Sequence, residues 1–204
     1  MKTPYTILTP RLKLCCPDPA TAAELAALVQ INLEHLRPWM PWATAENASI
    51  EVQYARIRSV RAEFDLDHDF IFSIFDRKSG RLIGSTGLHR RGPDQSLEIG
   101  YWIDQGHTRQ GLATETSAAL TRAAFELLEV QRVEIHCDPA NLASAAVPAK
   151  LGYTHDGTLR LRLQNLNGEM RDEMIWSLLL AEYPTSPSSN LLIEAYDAMD
   201  RRIL

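Results

Sequence analysis

"LEIGYWIDQGHTRQGLATE", residues 97–115, joins two kinds of periodicity through a turn. In the first seven residues Leu97, Ile99, Tyr101 and Ile103 share one side. Glu98, Gly100 and Trp102 share the other, which predicts a strand. Residues 112–129, "LATETSAALTRAAFELLE", bring Leu112, Leu120, Ala124, Leu127 and Leu128 near helical spacing. Between them lie Gly106, His107, Arg109 and Gly111, where a plain connection needs a single glycine. A strand, a glycine-rich turn and a helix together aim unpaired backbone N–H groups, and the positive end of the helix dipole, at one spot. That is an anion site, and Arg109 adds a charge-assisted contact.

Three phosphate chemistries compete for such a turn. Gly106 and Gly111 satisfy the spacing of a nucleotide P-loop, but Leu112 and Ala113 stand where Lys and Ser/Thr are required. Phosphoryl transfer is therefore excluded, because its electrostatic clamp is missing. The dinucleotide fingerprint G-x-G-x-x-G is absent, and its nearest approach, "GSTGLH" (84–89), lies inside a strand. A pyrophosphate gripped only as a handle remains. It needs backbone donors and small residues, which Gly111 and Ala113 provide.

Working outward, "TPRLKLCC" (9–16) predicts an opening strand, and 18–36 a helix with Asp18 at its N-cap and Pro19 following. "RPWMPW" (37–42) cannot be regular structure. A second helix is expected from about Ser49. Strands follow at 69–76, 81–90 and 97–103, then the helix 112–129. A strand over 132–138, a short helix within 139–153 and two last strands around the Asn167–Gly168 loop complete the pattern. "PTSPSSN" (184–190) reads as a linker, and 191–204 as an amphipathic helix with Leu191, Leu192, Ala195, Tyr196 and Met199 on its apolar stripe. The order β-α-α-β-β-β-α-β-α-β-β implies an α/β (α+β) fold: a mixed, mostly antiparallel sheet of about seven strands flanked by helices. The expected division is a domain over 1–183 and the appended segment 184–204.

The 204 residues carry a net charge of −5 without a basic stripe, which argues against nucleic acid and favours a cationic partner such as an amine or basic peptide. No apolar run is long enough for a membrane span, and the start lacks a signal-peptide core. Three cysteines without metal-ligand spacing fit a reduced, cytoplasmic protein and no metal.

Against this background "TRQGLATE" (108–115) resembles the acyl-CoA pyrophosphate loop of GCN5-related N-acetyltransferases (GNAT), [RQ]-x-x-G-x-[GA], with Thr108 where the family has Arg or Gln. "NLASAAVPAKLGY" (141–153) resembles the family's N-x-x-S-x-x-[VL]-x-x-K-x-G-[FY] motif. "TPRLKL", "LRPWMPW", "LIGSTGLH" and "EIGYWI" are similar to the branch that acetylates ribosomal-protein N-termini, over roughly residues 7–182. The resemblance implies the acyl-CoA N-acyltransferase fold, acetyl-CoA as cosubstrate and an amine acceptor. That acceptor is a protein N-terminus, or else a small amine such as an antibiotic, polyamine or amino acid. A non-enzymatic acyl-CoA-binding module is the third option, and a monomer or homodimer is expected.

The resemblance places the cofactor against Trp102, Ile103, Arg109, Gln110, Gly111, Leu112, Ala113, Thr114, Asn141 and Ser144, and gives Ser144 the departing thiolate. Trp39, Trp42 and His89 are expected along the acceptor path. Glu98, mid-strand beside the cofactor loop, is the candidate general base, with His89 as alternative. Asn141 also suits a helix N-cap. Cys137 reads as a buried hydrophobe rather than a nucleophile. Pro148, four residues after Ser144, cannot donate to its carbonyl.

Overall fold

A computed structural model describes residues 2–204. Its elements are β1 (Thr6–Leu8), β2 (Leu12–Cys15), α1 (Ala22–Leu36), α2 (Ile50–Asp65), β3 (Phe70–Asp76), β4 (Leu82–His89), β5 (Ser96–Ile103), α3 (Leu112–Glu126), β6 (Arg132–Cys137), α4 (Leu142–Lys150), β7 (Thr154–Gln164), β8 (Met170–Leu179) and β9 (Glu194–Tyr196). The strands form one sheet in the order β7-β8-β6-β5-β4-β3-β2-β1-β9. Every pairing is antiparallel except β5–β6. A parallel pair needs a crossover, and α3 supplies it.

The sheet therefore has nine strands rather than about seven. One addition lies just before the predicted strand 9–16: that strand forms only over Leu12–Cys15, and Thr6–Leu8 pairs with it across a turn at Thr9–Arg11. The Thr9 hydroxyl accepts from Leu12 N (2.9 Å), and the backbone turns back into the pairing Thr6↔Cys15. At the expected helix 18–36, Asp18 does cap, accepting from Ala20 N at 2.9 Å. It caps a 3-10 turn, Pro19–Thr21, and the α-helix starts at Ala22.

The second addition corrects the C-terminal segment. No helix forms over 191–204; β9 pairs there with β1 in the register Thr6↔Tyr196. Ile193 and Ala195 are buried whereas Leu192 and Met199 are exposed, so the expected stripe never shares a face. The open edge of β1 outcompetes the local helical pattern by offering backbone partners. The Asp197 carboxylate, accepting from Met199 N (2.8 Å) and Arg201 N (3.0 Å), turns the chain back. The preceding "linker" folds into two 3-10 turns, Tyr183–Thr185 and Pro187–Asn190.

Both faces of the sheet are covered. On one, Ala119, Leu120 and Ala123 of α3 pack with Leu97 and Ile99 of β5 and Val133 and Ile135 of β6. On the other, Leu25, Val29 and Leu33 of α1 and Ile57 of α2 pack with Leu82 and Trp102. The alternation in residues 97–103 thus distributes two cores, not a core and a solvent face. Gly84 lets β4 and β5 close up here: a Cβ on it would lie 2.2 Å from the Trp102 carbonyl oxygen.

Because β9 is a sheet strand, Ile193→Ala is expected to cost about 2–4 kcal/mol, read from the urea unfolding midpoint. An unchanged midpoint would mean that the tail lies outside the cooperative sheet.

Candidate functional site

The site begins where β5 and β6 part. Their pairing covers Ser96↔Arg132, Leu97↔Val133 and Glu98↔Glu134 and then stops, although β5 runs on to Ile103 and β6 to Cys137. Each stays paired on its other side, β5 to β4 as far as Ile103↔Gly84 and β6 to β8 as far as Cys137↔Met174. The result is a wedge in the middle of the sheet. The Gly100 carbonyl accepts from Thr86 and the Asp104 N–H donates to Ile83, so these backbone groups point at β4. By alternation the N–H groups of Tyr101 and Ile103 face the wedge.

Two helix N-termini border its mouth. After β5 the chain passes through a 3-10 turn, Gln105–His107, to α3. Arg109 (φ +60°) and Gly111 (φ +76°, the α3 N-cap) take left-handed backbone on either side of Gln110, which curls the loop so that its amides converge. No side-chain hydrogen bond caps α3, which leaves its first-turn N–H groups open to an anion. After β6 the α4 helix begins under Asn141, whose side chain accepts from Ser144 N at 3.1 Å, the capping role read from sequence.

The loop is held from two sides. Buried Asn32 of α1 donates to Asp104 Oδ1 (2.8 Å) and accepts from Gln105 N (2.8 Å), while His107 Nδ1 lies 2.7 Å from Asp104 Oδ2. Burial opposes ionisation of Asp104, but the bonds from Asn32 and His107 outweigh it and hold its carboxyl below the usual range. On the far side Arg11 donates to the Gln110 carbonyl (2.8 Å) and to buried Glu115 (2.6 Å), which also accepts from Thr9.

Wedge and loops enclose a cleft of about 900 Å³. Of the residues expected from sequence, Trp39, Trp102, Ile103, Arg109, Gly111, Leu112, Ala113, Thr114, Asn141 and Ser144 line it. Gln110 does not; its carbonyl belongs to Arg11. Trp42 stands behind the wall, its ring 6.1 Å from that of Trp102. Glu98 and His89 lie outside the cleft lining, on the sheet face shared with Trp102. Glu98 binds Arg91 at 3.0 Å and approaches His136 at 3.6 Å; His136 in turn contacts Glu134 (2.8 Å) and Glu173 (3.6 Å). His89 Nδ1 is held by Asp69 at 2.8 Å.

Sequence reasoning missed Tyr101, Met40, His35 and Lys150 in the lining, and Asn32, Arg11 and Glu115 beneath the loop. A mid-helix asparagine and a lone tyrosine on an aliphatic strand face were the available signals. Burial pushes the Cys137 thiol up to about 11, with a hydrogen bond from Ser144 opposing it, so it is un-ionised and no nucleophile at neutral pH.

Residues 11–154 match the acetyltransferase (GNAT) domain. The chain is 31% identical to YdaF of Bacillus subtilis (strain 168) over 168 residues, 81% of this chain and 90% of that one. It is 24% identical to the [ribosomal protein uS5]-alanine N-acetyltransferase of Escherichia coli (strain K12), covering 87% and 92% of the two chains. The solved structure of Mycobacterium smegmatis RimJ in complex with CoA-disulfide shares the fold, with a TM-score of 0.83, 24% identity and coverage of 91% and 92%.

Replacing Gly111 by Ala forces a side chain into left-handed backbone, which costs about 1–2 kcal/mol. Differential scanning calorimetry is expected to show that loss, and isothermal titration with coenzyme A a weaker Kd. Wild-type affinity in Gly111→Ala would show that the loop geometry is not what grips the phosphates.

Proposed function

The chain belongs to the GNAT acetyltransferase family, and on that premise we propose that it transfers an acetyl group from acetyl-CoA to the α-amino group of a protein N-terminus. The observation that carries this reading is the β5/β6 wedge with a helix N-terminus on each side of its mouth. The cleft fits the cosubstrate by its donor set: converging amides from Arg109 to Thr114 for the pyrophosphate, and the Tyr101 and Ile103 N–H groups inside the wedge. Acetyl-CoA supplies an activated thioester carbonyl.

The chain's residues then have four tasks. The loop fixes one reactant, and positioning of this kind removes much of the barrier. A wedge-facing N–H of β5 meets the charge that develops on the carbonyl oxygen. The Ser144 hydroxyl hydrogen-bonds the departing sulfur. A thiol with an ordinary pKa of about 8.5 needs only such modest help. Glu98 accepts the amine's proton through water, from the sheet face opposite α3 and α4, so nucleophile and leaving group are served from opposite sides.

Energetics favour an α-amine. At pH 7, deprotonating a group of pKa about 8 costs about 1.4 kcal/mol, against about 4.6 for a lysine at about 10.4. A base one water away suffices for the former. Two relatives' names, the uS5-alanine enzyme and the ribosomal-protein-serine acetyltransferase of Escherichia coli (strain K12), support protein N-termini as the acceptor class. The tryptophan-lined mouth and net negative charge suit a cationic peptide.

Thiol release from acetyl-CoA, with peptides bearing free alanine or serine N-termini beside a panel of small amines and lysine side chains, tests the acceptor. The peptides are expected to give the highest kcat/KM; a small amine outrunning all of them would overturn the N-terminal assignment. With the best peptide, Ser144→Ala and Glu98→Gln should each lower kcat about a hundredfold. Full activity in both would remove these roles. Below the amine's pKa of about 8, kcat/KM should rise tenfold per pH unit and then level off; a flat profile would argue against a neutral-amine nucleophile.

A further inference from the structure

We propose that Tyr101 is a positioning residue for the leaving-group step: its phenol locks Ser144 so that the serine proton points into the cleft. The proposal rests on the role given to Ser144 above. Tyr101 sits on the α3/α4 side of β5, and its Oη lies 3.0 Å from Ser144 Oγ and 3.3 Å from the Ser144 carbonyl oxygen. Both residues line the cleft, and the contact crosses from β5 to the first turn of α4.

Pro148 explains why that carbonyl is available. In an α-helix the N–H of residue 148 would bond the carbonyl of residue 144, and proline has none. The phenol therefore reaches both oxygens of Ser144, and Asn141 holds its N–H at 3.1 Å. The amide and carbonyl contacts fix the Ser144 backbone, and the contact to Oγ selects χ1. Tyr153 provides the contrast. It too is buried beside α4, but its hydroxyl is spent at 2.6 Å on Thr121 within the core, away from the cleft.

The direction of the hydrogen bond follows from the second contact: the Ser144 carbonyl can only accept, so the phenol hydrogen lies on that side, shared between the carbonyl and Oγ. Burial, opposed by the bond with Ser144, keeps the Tyr101 phenol protonated far above neutral pH. It is consequently a permanent donor and a poor proton source. When Oη donates to Ser144 Oγ, the serine's own hydrogen is directed away from Tyr101; Cys137 can accept it, and the coenzyme sulfur competes for it when bound. The two bonds then polarise each other in series. No proton passes through Tyr101. The sulfur receives a hydrogen bond from Ser144 as its C–S bond breaks, leaves as the thiolate and takes its proton from solvent, to which Glu98 returns the one it took from the amine.

Coenzyme A provides a readout that needs no acceptor. Its thiolate has an ultraviolet absorbance, so a pH titration of the complex, read against the complex with desulfo-CoA, reports the acidity of the bound thiol. Ser144→Ala is expected to weaken that acidity about tenfold, and Tyr101→Phe about threefold. The double variant should match Ser144→Ala alone, because Tyr101 acts only through Ser144. Tyr101→Phe having the same effect in both backgrounds would overturn the proposal while leaving the Ser144 role intact. So would a Tyr101→Phe protein with lowered melting temperature and unchanged thiol acidity, which is the signature of a purely structural tyrosine. No change in Ser144→Ala would remove the Ser144 role, and the Tyr101 proposal with it.

Discussion

The site depends on one interruption in a hydrogen-bond ladder. β5 and β6 pair for three residues and then separate, yet neither strand frays, because β4 and β8 hold their outer edges. Unpaired backbone inside a protein is costly unless something else satisfies it. A gap in mid-sheet consequently leaves backbone donors and acceptors open to an extended, hydrogen-bonding ligand. The single parallel pairing is what makes the gap useful. It obliges α3 to cross over and α4 to follow β6, so that both helices start beside the same opening.

The loop in front of α3 is strained at Arg109 and left-handed again at Gly111. Strain of this kind persists only where surrounding contacts over-determine it. Asn32 supplies one set from α1 and the Thr9–Arg11–Glu115 cluster another from the start of β2. Elements far apart in sequence thus fix the backbone amides of the loop in front of α3. The loop is rigid from below and polar above, which lets a ligand bind without paying for loop ordering.

Much of this was legible locally. The period-two pattern of 97–103, the glycines of 106–111 and the Asn141–Ser144 cap are short-range features, and they appear in the structure where the residues predict them. What was illegible is long-range. In residues 191–204 the spacing of leucines favours a helix, but the free edge of β1, nearly 190 positions earlier in the chain, wins the segment. Asn32 is an ordinary helical residue until Asp104 lies against it, and Tyr101 looks like core until Ser144 arrives. Pro148 has no local rationale; it has one only with Tyr101 across the wedge.

The pairing of β1 with β9 has a kinetic side. Thr6 meets Tyr196, so β1 waits for a partner that is synthesised about 190 residues after it. Until then the β1 edge remains an uncovered template during synthesis, the condition under which nascent sheets mispair. Closing so long a loop is a late, entropically expensive event. The wedge between β5 and β6 lies five strands from that edge in the sheet order. On these grounds the catalytic half of the molecule can assemble from local pairings, with the edge sealed afterwards.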